Sequence, residues 1–276
     1  MLKYPGSKWR LAKWIINHFP AHTTYLEPFF GSGAVFFTKP PSKVETINDL
    51  DGQVINLFRV IRERPRELAA LIEMTPWARG EYTSILVPSD HESSFLQVGE
   101  PLEDARRFLV RMWMAMGAKS SDRSGWCNNI QNLIGSSKPK TWQGLPARII
   151  ATSRRLKDAQ IESQPAIKLI VRYGYPEVLI YADPPYMFET RRERRQYKNE
   201  MTDADHIELL EVLDTHPGPV VLSGYACPLY DERLKHWIRR EAKAQAEKGN
   251  IRTEVLWINP VATKTLQVRL FDEVTP

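Results

Sequence analysis

Residues 24–33 read TYLEPFFGSG, and their reading decides the fold. Thr24 to Glu27 form a short strand candidate that runs directly into Pro28 and a turn holding Gly31 and Gly33. Two glycines at this spacing let the backbone turn sharply and approach a ligand with no side chain in the way. A second strand candidate, Val44 to Asn48, ends at two acids, Asp49 and Asp51, and the segment from about Gln53 to Arg62 is helical in pattern. Strand, glycine-rich turn, helix and a strand with an acidic end make up the opening of a doubly wound α/β sheet.

Working outward, the pattern changes between about Arg64 and Leu156. Helical stretches such as Pro65–Met74 and Leu102–Met116 alternate there with tryptophan-bearing loops, and no strong strand is visible. Strands resume with Gln160–Glu162, Val178–Ala182, Val220–Leu222 and Thr253–Ile258, with Leu266–Phe271 as a candidate edge strand. Asp203–Leu213 has the pattern of a crossover helix. At the N-terminus, Ser7 is placed to cap a helix whose positions Leu11, Trp14, Ile15 and His18 or Phe19 follow helical spacing up to Pro20. The expected architecture is an α/β fold with a doubly wound, mostly parallel, Rossmann-like sheet. Residues 1–63 and 157–276 would build the sheet domain, and residues 64–156 a mainly helical insertion.

The chain has 276 residues, 42% of them apolar and 26% charged, as in soluble globular proteins. No apolar run approaches membrane-spanning length, and Lys3, Lys8 and Arg10 interrupt the N-terminus, so a cytoplasmic location and no membrane partner are expected. Cys127 and Cys227 can form neither a disulfide framework nor a zinc cage. His18 and His22 have helical ligand spacing, but Pro20 falls between them, and no metal site is assigned. The net charge of +5 points to a polyanionic partner. Arg191-Arg192-Glu193-Arg194-Arg195-Gln196-Tyr197-Lys198 concentrates that charge, either as a solvated face or as a phosphate contact.

Four places carry chemistry. The turn Phe30-Gly31-Ser32-Gly33 lacks the third glycine of the dinucleotide fingerprint, which disfavours a pyrophosphate. A ligand without phosphates, such as S-adenosylmethionine, suits the shorter turn. Asp49 is either a helix cap or, one βαβ unit after a glycine-rich turn, the acid that accepts ribose hydroxyls, and that context favours the ribose. Tyr4-Pro5-Gly6-Ser7-Lys8 lacks the full phosphate-loop pattern, so ATP chemistry is not indicated. Two readings of it stand: a surface turn before a capped helix, or a lysine facing a carboxylate such as that of the cofactor's methionine. The fourth is Asp183-Pro184-Pro185-Tyr186, which follows a wholly apolar strand. Prolines hold the chain extended, fixing the Asp183 carboxylate and the Pro184 carbonyl where open α/β sheets bind ligands. Two fixed acceptors can take both hydrogens of an exocyclic amino group, and Tyr186 offers a flat face to the ring that carries it.

Together these motifs resemble the Dam-like DNA adenine-N6 methyltransferases (D12 class, alpha group), and most closely their phage-type members. The matching order is Tyr4 to Lys8, Glu27 to Gly33, Ile47-Asn48-Asp49, the insertion, and Tyr181 to Tyr186; Arg252 to Asn259 also looks like the phage group. The resemblance covers essentially the whole chain. It implies S-adenosyl-L-methionine as methyl donor, S-adenosyl-L-homocysteine as product, and double-stranded DNA as partner. Cofactor contacts would fall on Tyr4, Lys8, Phe30, Gly31, Gly33, Asp49 and Asp183. The catalytic group Asp183, Pro184, Pro185 and Tyr186 would hold an adenine extruded from the duplex. The first motif has tyrosine where Dam has tryptophan. Arg123-Ser124-Gly125-Trp126-Cys127-Asn128-Asn129 does not match Dam's recognition segment, so recognition of GATC is not implied.

In that loop Arg123, Asn128 and Asn129 have the chemistry to read base edges and Trp126 can wedge or stack. A capped surface turn with a packing tryptophan explains the same residues equally well. Arg191, Arg192, Arg194, Arg195 and Lys198 are placed to contact phosphates around the flipped base, which positions without reading sequence. Cytosine-C5 methylation is rejected, because neither cysteine lies in a Pro-Cys motif at a strand end. Two alternatives remain: a cytosine-N4 methyltransferase and a catalytically inactive DNA-binding protein of the same fold. A monomer is expected in solution, with dimerisation on DNA left open.

Overall fold

The computed structural model describes residues 2–86, 98–116, 125–128, 137–190, 199–245 and 251–264. Its backbone divides into two compact units, one built on residues up to Ser7 and Asp51–Asp158, the other on residues 8–50, 159–190 and 199–264.

The second unit holds the whole sheet. In chain order it carries α1 (Ala12–Ile16), β1 (Thr24–Glu27), α2 (Ala34–Thr38) and β2 (Val44–Asn48) before the chain leaves for the other unit. The six helices of that other unit, among the described residues, are α3 (Gly52–Glu63), α4 (Pro65–Met74), α5 (Arg79–Ser84), α6 (Pro101–Met114), α7 (Lys138–Gln143) and α8 (Leu145–Leu156). The chain then resumes the sheet with β3 (Ala159–Glu162), α9 (Ala166–Arg172), β4 (Val178–Ala182), α10 (Asp203–Asp214), β5 (Val220–Tyr225), α11 (Pro228–Arg233), β6 (Ile238–Gln245) and β7 (Ile251–Ile258).

Strand order is β3-β2-β1-β4-β5-β7-β6. Pairings from β3 to β5 are parallel, and β7 joins β5 and β6 antiparallel. The expected doubly wound, mostly parallel α/β sheet is therefore the observed one. The order reverses between β1 and β4, the switch point at which such sheets bind ligands outside their carboxyl ends. β4 is buried along its full length, as a central parallel strand covered on both faces must be. Its Val178, Ile180 and Ala182 join Leu209, Leu213, Leu222 and Trp257 in one core cluster. α10 is started by a reciprocal cap: the Thr202 hydroxyl accepts from the Asp205 amide and the Asp205 carboxylate accepts from the Thr202 amide.

β6, IRREAKAQ, is a strand that sequence reading leaves out. Its residues prefer helix locally, and pairing along the full length of β7 overrides that preference. Charged residues suit its position at the edge of the sheet. Leu266–Phe271 lies outside the described residues. The N-terminal helix also differs from expectation: α1 begins at Ala12 after Leu11, with no side-chain cap, so Ser7 does not cap it. Instead the Ser7 amide donates to the Tyr4 carbonyl at 3.2 Å across a turn in which Gly6 has φ of 72°.

In the backbone division the helical unit begins at Asp51 and so takes in α3. The buried face of α3, with Val54, Leu57, Phe58 and Ile61, packs on α6 and α8. Trp113 and Trp142 of this region are core, and Trp77 and Trp126 are half-buried. The Trp142 indole donates to the Thr75 carbonyl at 2.8 Å and packs edge-on against Trp77 and Trp113. No helix among the described residues is long and apolar enough to cross a membrane.

Candidate active site

The glycine-rich turn leaves β1 and is held by β2. The Phe30 amide donates to the Asn48 carbonyl at 2.9 Å, and the Gly33 amide returns to the Phe30 carbonyl at 2.8 Å. Asn48 itself is buried, and its side-chain amide donates to the carbonyls of Pro28 and Gln164, tying the ends of β1 and β3 together. Gly31 and Gly33 have φ of 48° and 66°, a region that side chains rarely enter. A methyl group on Gly33 would lie 2.5 Å from the Phe30 ring and 2.6 Å from the Phe37 ring, so the turn has no room for one.

Asp49 follows β2 and is half-buried; its Oδ2 accepts the Gly31 amide at 2.8 Å. The cap of α3 is Asp51, whose carboxylate accepts from the Gln53 amide at 3.0 Å. Of the two readings of Asp49, the cap is thus taken by its neighbour, and Asp49 braces the glycine turn.

Asp183 stands at the end of β4, beside the end of β5. Parallel pairing of Ala182 with Leu222 sets Asp183 next to Ser223, whose hydroxyl donates to Asp183 Oδ1 at 2.9 Å. The Ser223 hydroxyl is also 3.0 Å from the Tyr181 hydroxyl. Lys8 Nζ lies 2.9 Å from the same Oδ1 and 3.3 Å from Glu254 Oε1. The Tyr186 hydroxyl accepts from Lys8 and donates to Glu254 at 2.9 Å. Lys8 and Glu254 are almost fully enclosed, whereas the Asp183 side chain keeps 19% of its surface exposed.

One ammonium therefore serves two carboxylates. Burial pushes both carboxyl groups above their ordinary values, and Lys8 pulls them back down. A third buried acid, Glu27 at the end of β1, accepts the Tyr25 hydroxyl at 2.7 Å. Burial raises Glu27 to about 8, with the nearby Asp183 charge adding to the rise, so Glu27 is predominantly protonated at neutral pH.

Tyr186 is 7% exposed, and the Tyr225 ring lies 4.3 Å from it, centroid to centroid, at 49°. Lys8 Nζ is 4.7 Å from the Tyr186 ring centroid. Tyr186 is thus one member of an aromatic pair in which the half-buried Tyr225 is the more open ring. Pro184 is buried and Pro185 half-buried.

The sheet unit therefore brings Lys8, Asp183, Pro184, Pro185 and Tyr186 to one end, with Phe30, Gly31, Gly33 and Asp49 at the carboxyl ends of its strands. Ser223 and Tyr225 join this end from no motif, and Glu27 and Glu254 join it from the matched segments Glu27–Gly33 and Arg252–Asn259, in which neither has an expected role. Ser223 and Glu254 enter through pairing register, which no local pattern reveals.

Tyr4, Trp126 and Asn128 belong to the helical unit. There the backbones of Met114–Met116 and Gly125–Cys127 pair as a short antiparallel bridge, with two bonds of 2.7 Å. The bridge and the Trp77 indole, which donates to the Cys127 carbonyl at 3.2 Å, pin the segment bearing Trp126. The Arg79 guanidinium covers the Trp126 ring at 4.8 Å, and Asn128 is exposed. Arg123, Asn129, Arg191, Arg192, Arg194, Arg195 and Lys198 lie outside the described residues.

Comparison with known proteins gives the family of the chain. A family model described as D12 class N6 adenine-specific DNA methyltransferase matches residues 4–248. The type II methyltransferase M1.LlaDCHI of Lactococcus lactis subsp. cremoris is 35% identical over 256 residues, which cover 90% of this chain and 88% of that protein. Among solved structures, a SAM-dependent methyltransferase from Agrobacterium tumefaciens is similar at 11% identity and a TM-score of 0.40, covering 91% of this chain and 60% of that one. An rRNA methylase from Streptococcus thermophilus is similar at 8% identity and a TM-score of 0.37, covering 94% and 98% of the two chains. By the family match over most of its length and its 35% identity to a type II methyltransferase, the chain belongs to the D12 class of N6 adenine-specific DNA methyltransferases, which makes it an S-adenosylmethionine-dependent enzyme.

Proposed function

We propose that this enzyme methylates adenine in one short sequence context of double-stranded DNA, acting on a base turned out of the helix and held by Asp183 to Tyr186. The observation that carries the reading is the division of labour on Asp183. Among the described residues, its hydrogen bond from Ser223 and its ion pair with Lys8 both fall on Oδ1. Oδ2 is thereby oriented to accept a hydrogen from an incoming amino group, and the Pro184 carbonyl is the second acceptor. Within a duplex the adenine amino group faces the partner base, so a carboxylate fixed at a strand end meets it only after the base leaves the stack. The Tyr186–Tyr225 pair supplies the aromatic wall for the extruded ring.

S-adenosyl-L-methionine, when bound, supplies an electrophilic methyl group on a sulfonium sulfur. The chain's residues suit it. The crowded turn at Gly33 presents backbone where a side chain would intrude, and Asp49 stands beside that turn as an acceptor for ribose hydroxyls. Lys8, on the same unit, would add a further cofactor contact. Asp183 and Pro184 would take the two amine hydrogens and so turn the nitrogen lone pair toward the methyl group that the cofactor would supply. The proton becomes acidic only after the nitrogen carries the methyl, so Asp183, raised by burial, is a competent acceptor. The helical unit would act as the target-recognition domain, with Arg123, Trp126, Asn128 and Asn129 reading bases, and with Arg191 to Lys198 contacting phosphates.

Mapping modified bases in a methylation-free host that expresses the protein tests this reading. N6-methyladenine confined to one short context is the expected result. Methylation spread without regard to context would overturn the site specificity.

A further inference from the structure

β7 carries an acid where a strand of this kind has no packing use for one. Glu254 precedes the buried run Val255, Leu256, Trp257 and Ile258, and is itself buried. Its place follows from register. β7 runs antiparallel to β5 with Glu254 opposite Tyr225, so the acid arrives at the end where β4 delivers Asp183 and Tyr186. A buried carboxylate is strongly disfavoured unless paired, and Glu254 has two partners, the Lys8 ammonium and the Tyr186 hydroxyl.

We propose that Glu254 is a positioning residue for methyl transfer. It shares the Lys8 ammonium that would otherwise pair with Asp183 alone, and it accepts the Tyr186 hydroxyl, so that Asp183 stays basic enough to accept the amino group. Lys8 makes the consequence concrete. With Glu254 present the ammonium is shared, at 2.9 Å from one carboxylate and 3.3 Å from the other. Without it the whole ammonium charge falls on Asp183, which becomes a weaker acceptor. The Tyr186 hydroxyl would lose its acceptor as well.

The groups facing Glu254 fix the sign of the pH effect. They are Lys8, Asp183 and Tyr186, with Tyr181 on β4, Tyr225 opposite on β5, and uncharged Ala242 opposite on β6. The Asp183 charge raises Glu254, and by the same mutual repulsion a charge on Glu254 favours the protonated form of Asp183, whereas Lys8 lowers both. Removing the Glu254 charge therefore makes Asp183 more acidic, and the acid limb of the rate profile moves to lower pH.

The test is kcat, KM for DNA and the pH profile of methyl transfer for wild type, Glu254→Gln and Glu254→Asp. Glutamine keeps an acceptor for Tyr186 and removes only the charge. Glu254→Gln is expected to lower kcat about tenfold, the scale of one charged hydrogen bond, with KM for DNA unchanged and the acid limb displaced downward. Glu254→Asp is expected to keep the limb in its wild-type position, and this arm stands alone should the glutamine variant not fold. A wild-type limb in Glu254→Gln, or a displaced limb in Glu254→Asp, overturns the proposal. The inference rests on Asp183 as the amino-group acceptor, and Asp183→Ala separates the two. Turnover retained in Asp183→Ala defeats that reading, whereas a wild-type profile in Glu254→Gln beside an inactive Asp183→Ala defeats only the role of Glu254.

Discussion

Asp183→Ala is expected to lower methyl transfer to DNA by about 1,000-fold, the upper range for losing one preorganised partner of the reacting group, while the protein stays folded. The loss follows from geometry. Asp183 is fixed by Ser223 at 2.9 Å and Lys8 at 2.9 Å, and alanine removes the acceptor that these contacts aim. The fold survives because no buried charge is stranded: Lys8 keeps Glu254 at 3.3 Å and its bond to Tyr186. Radiolabelled methyl incorporation at saturating cofactor, with circular dichroism as the folding control, measures both halves. Wild-type-like turnover would refute the role given to Asp183. Asp183→Asn refines the result, since it keeps an oxygen acceptor but loses the charge that pairs with Lys8; an intermediate rate is expected.

Lys8→Met should produce the largest change in stability. It removes the cation between two enclosed carboxylates, and breaking a buried pair in this way costs about 3–5 kcal/mol. The partial exposure of Asp183, 19% of its side chain, places the expected cost at the lower end of that range. The pH dependence has a definite sign. In the variant both carboxyl groups lose the cation that lowers them, so burial raises their folded-state values further above the unfolded ones. A group raised on folding contributes stability that is complete below its unfolded value and is lost as pH rises through the folded one. The deficit relative to wild type should therefore be greatest near pH 8 and shrink toward pH 5. Urea unfolding at the two pH values reads it directly. A deficit that is equal at both, or larger at the lower pH, would contradict the shared-cation description.

How much of this was legible in the sequence depended on where each signal resides. The parallel strands Thr24–Glu27, Val44–Asn48 and Val178–Ala182 stand where the sequence puts them. Each is a short, largely buried segment ended by a chemically distinct residue, so pattern and punctuation coincide. β6 escaped because Arg, Glu, Ala and Lys are strong helix formers, and its strand conformation comes from β7. The packing of α3 with the helical unit is not legible in the sequence for a similar reason. The pattern of α3 shows that it has an apolar face, but only packing shows that this face meets α6 and α8. Among site residues, Asp183 and Lys8 announced themselves through their motifs. Asp49 and Asp51 both precede a helix, and only the hydrogen bonds tell the turn brace from the cap. Glu254 and Ser223 lie 71 and 40 residues from Asp183 in the chain, so strand register alone brings them to it.

The central claim is that Asp183 to Tyr186 clamp an adenine amino group for methyl transfer. Its most direct test is nucleoside mass spectrometry of unmethylated DNA after incubation with S-adenosylmethionine and either wild type or Asp183→Ala. The expected result is N6-methyladenine with the wild-type enzyme and none above background with the variant. N4-methylcytosine as the product, or N6-methyladenine formed equally by both proteins, would contradict it.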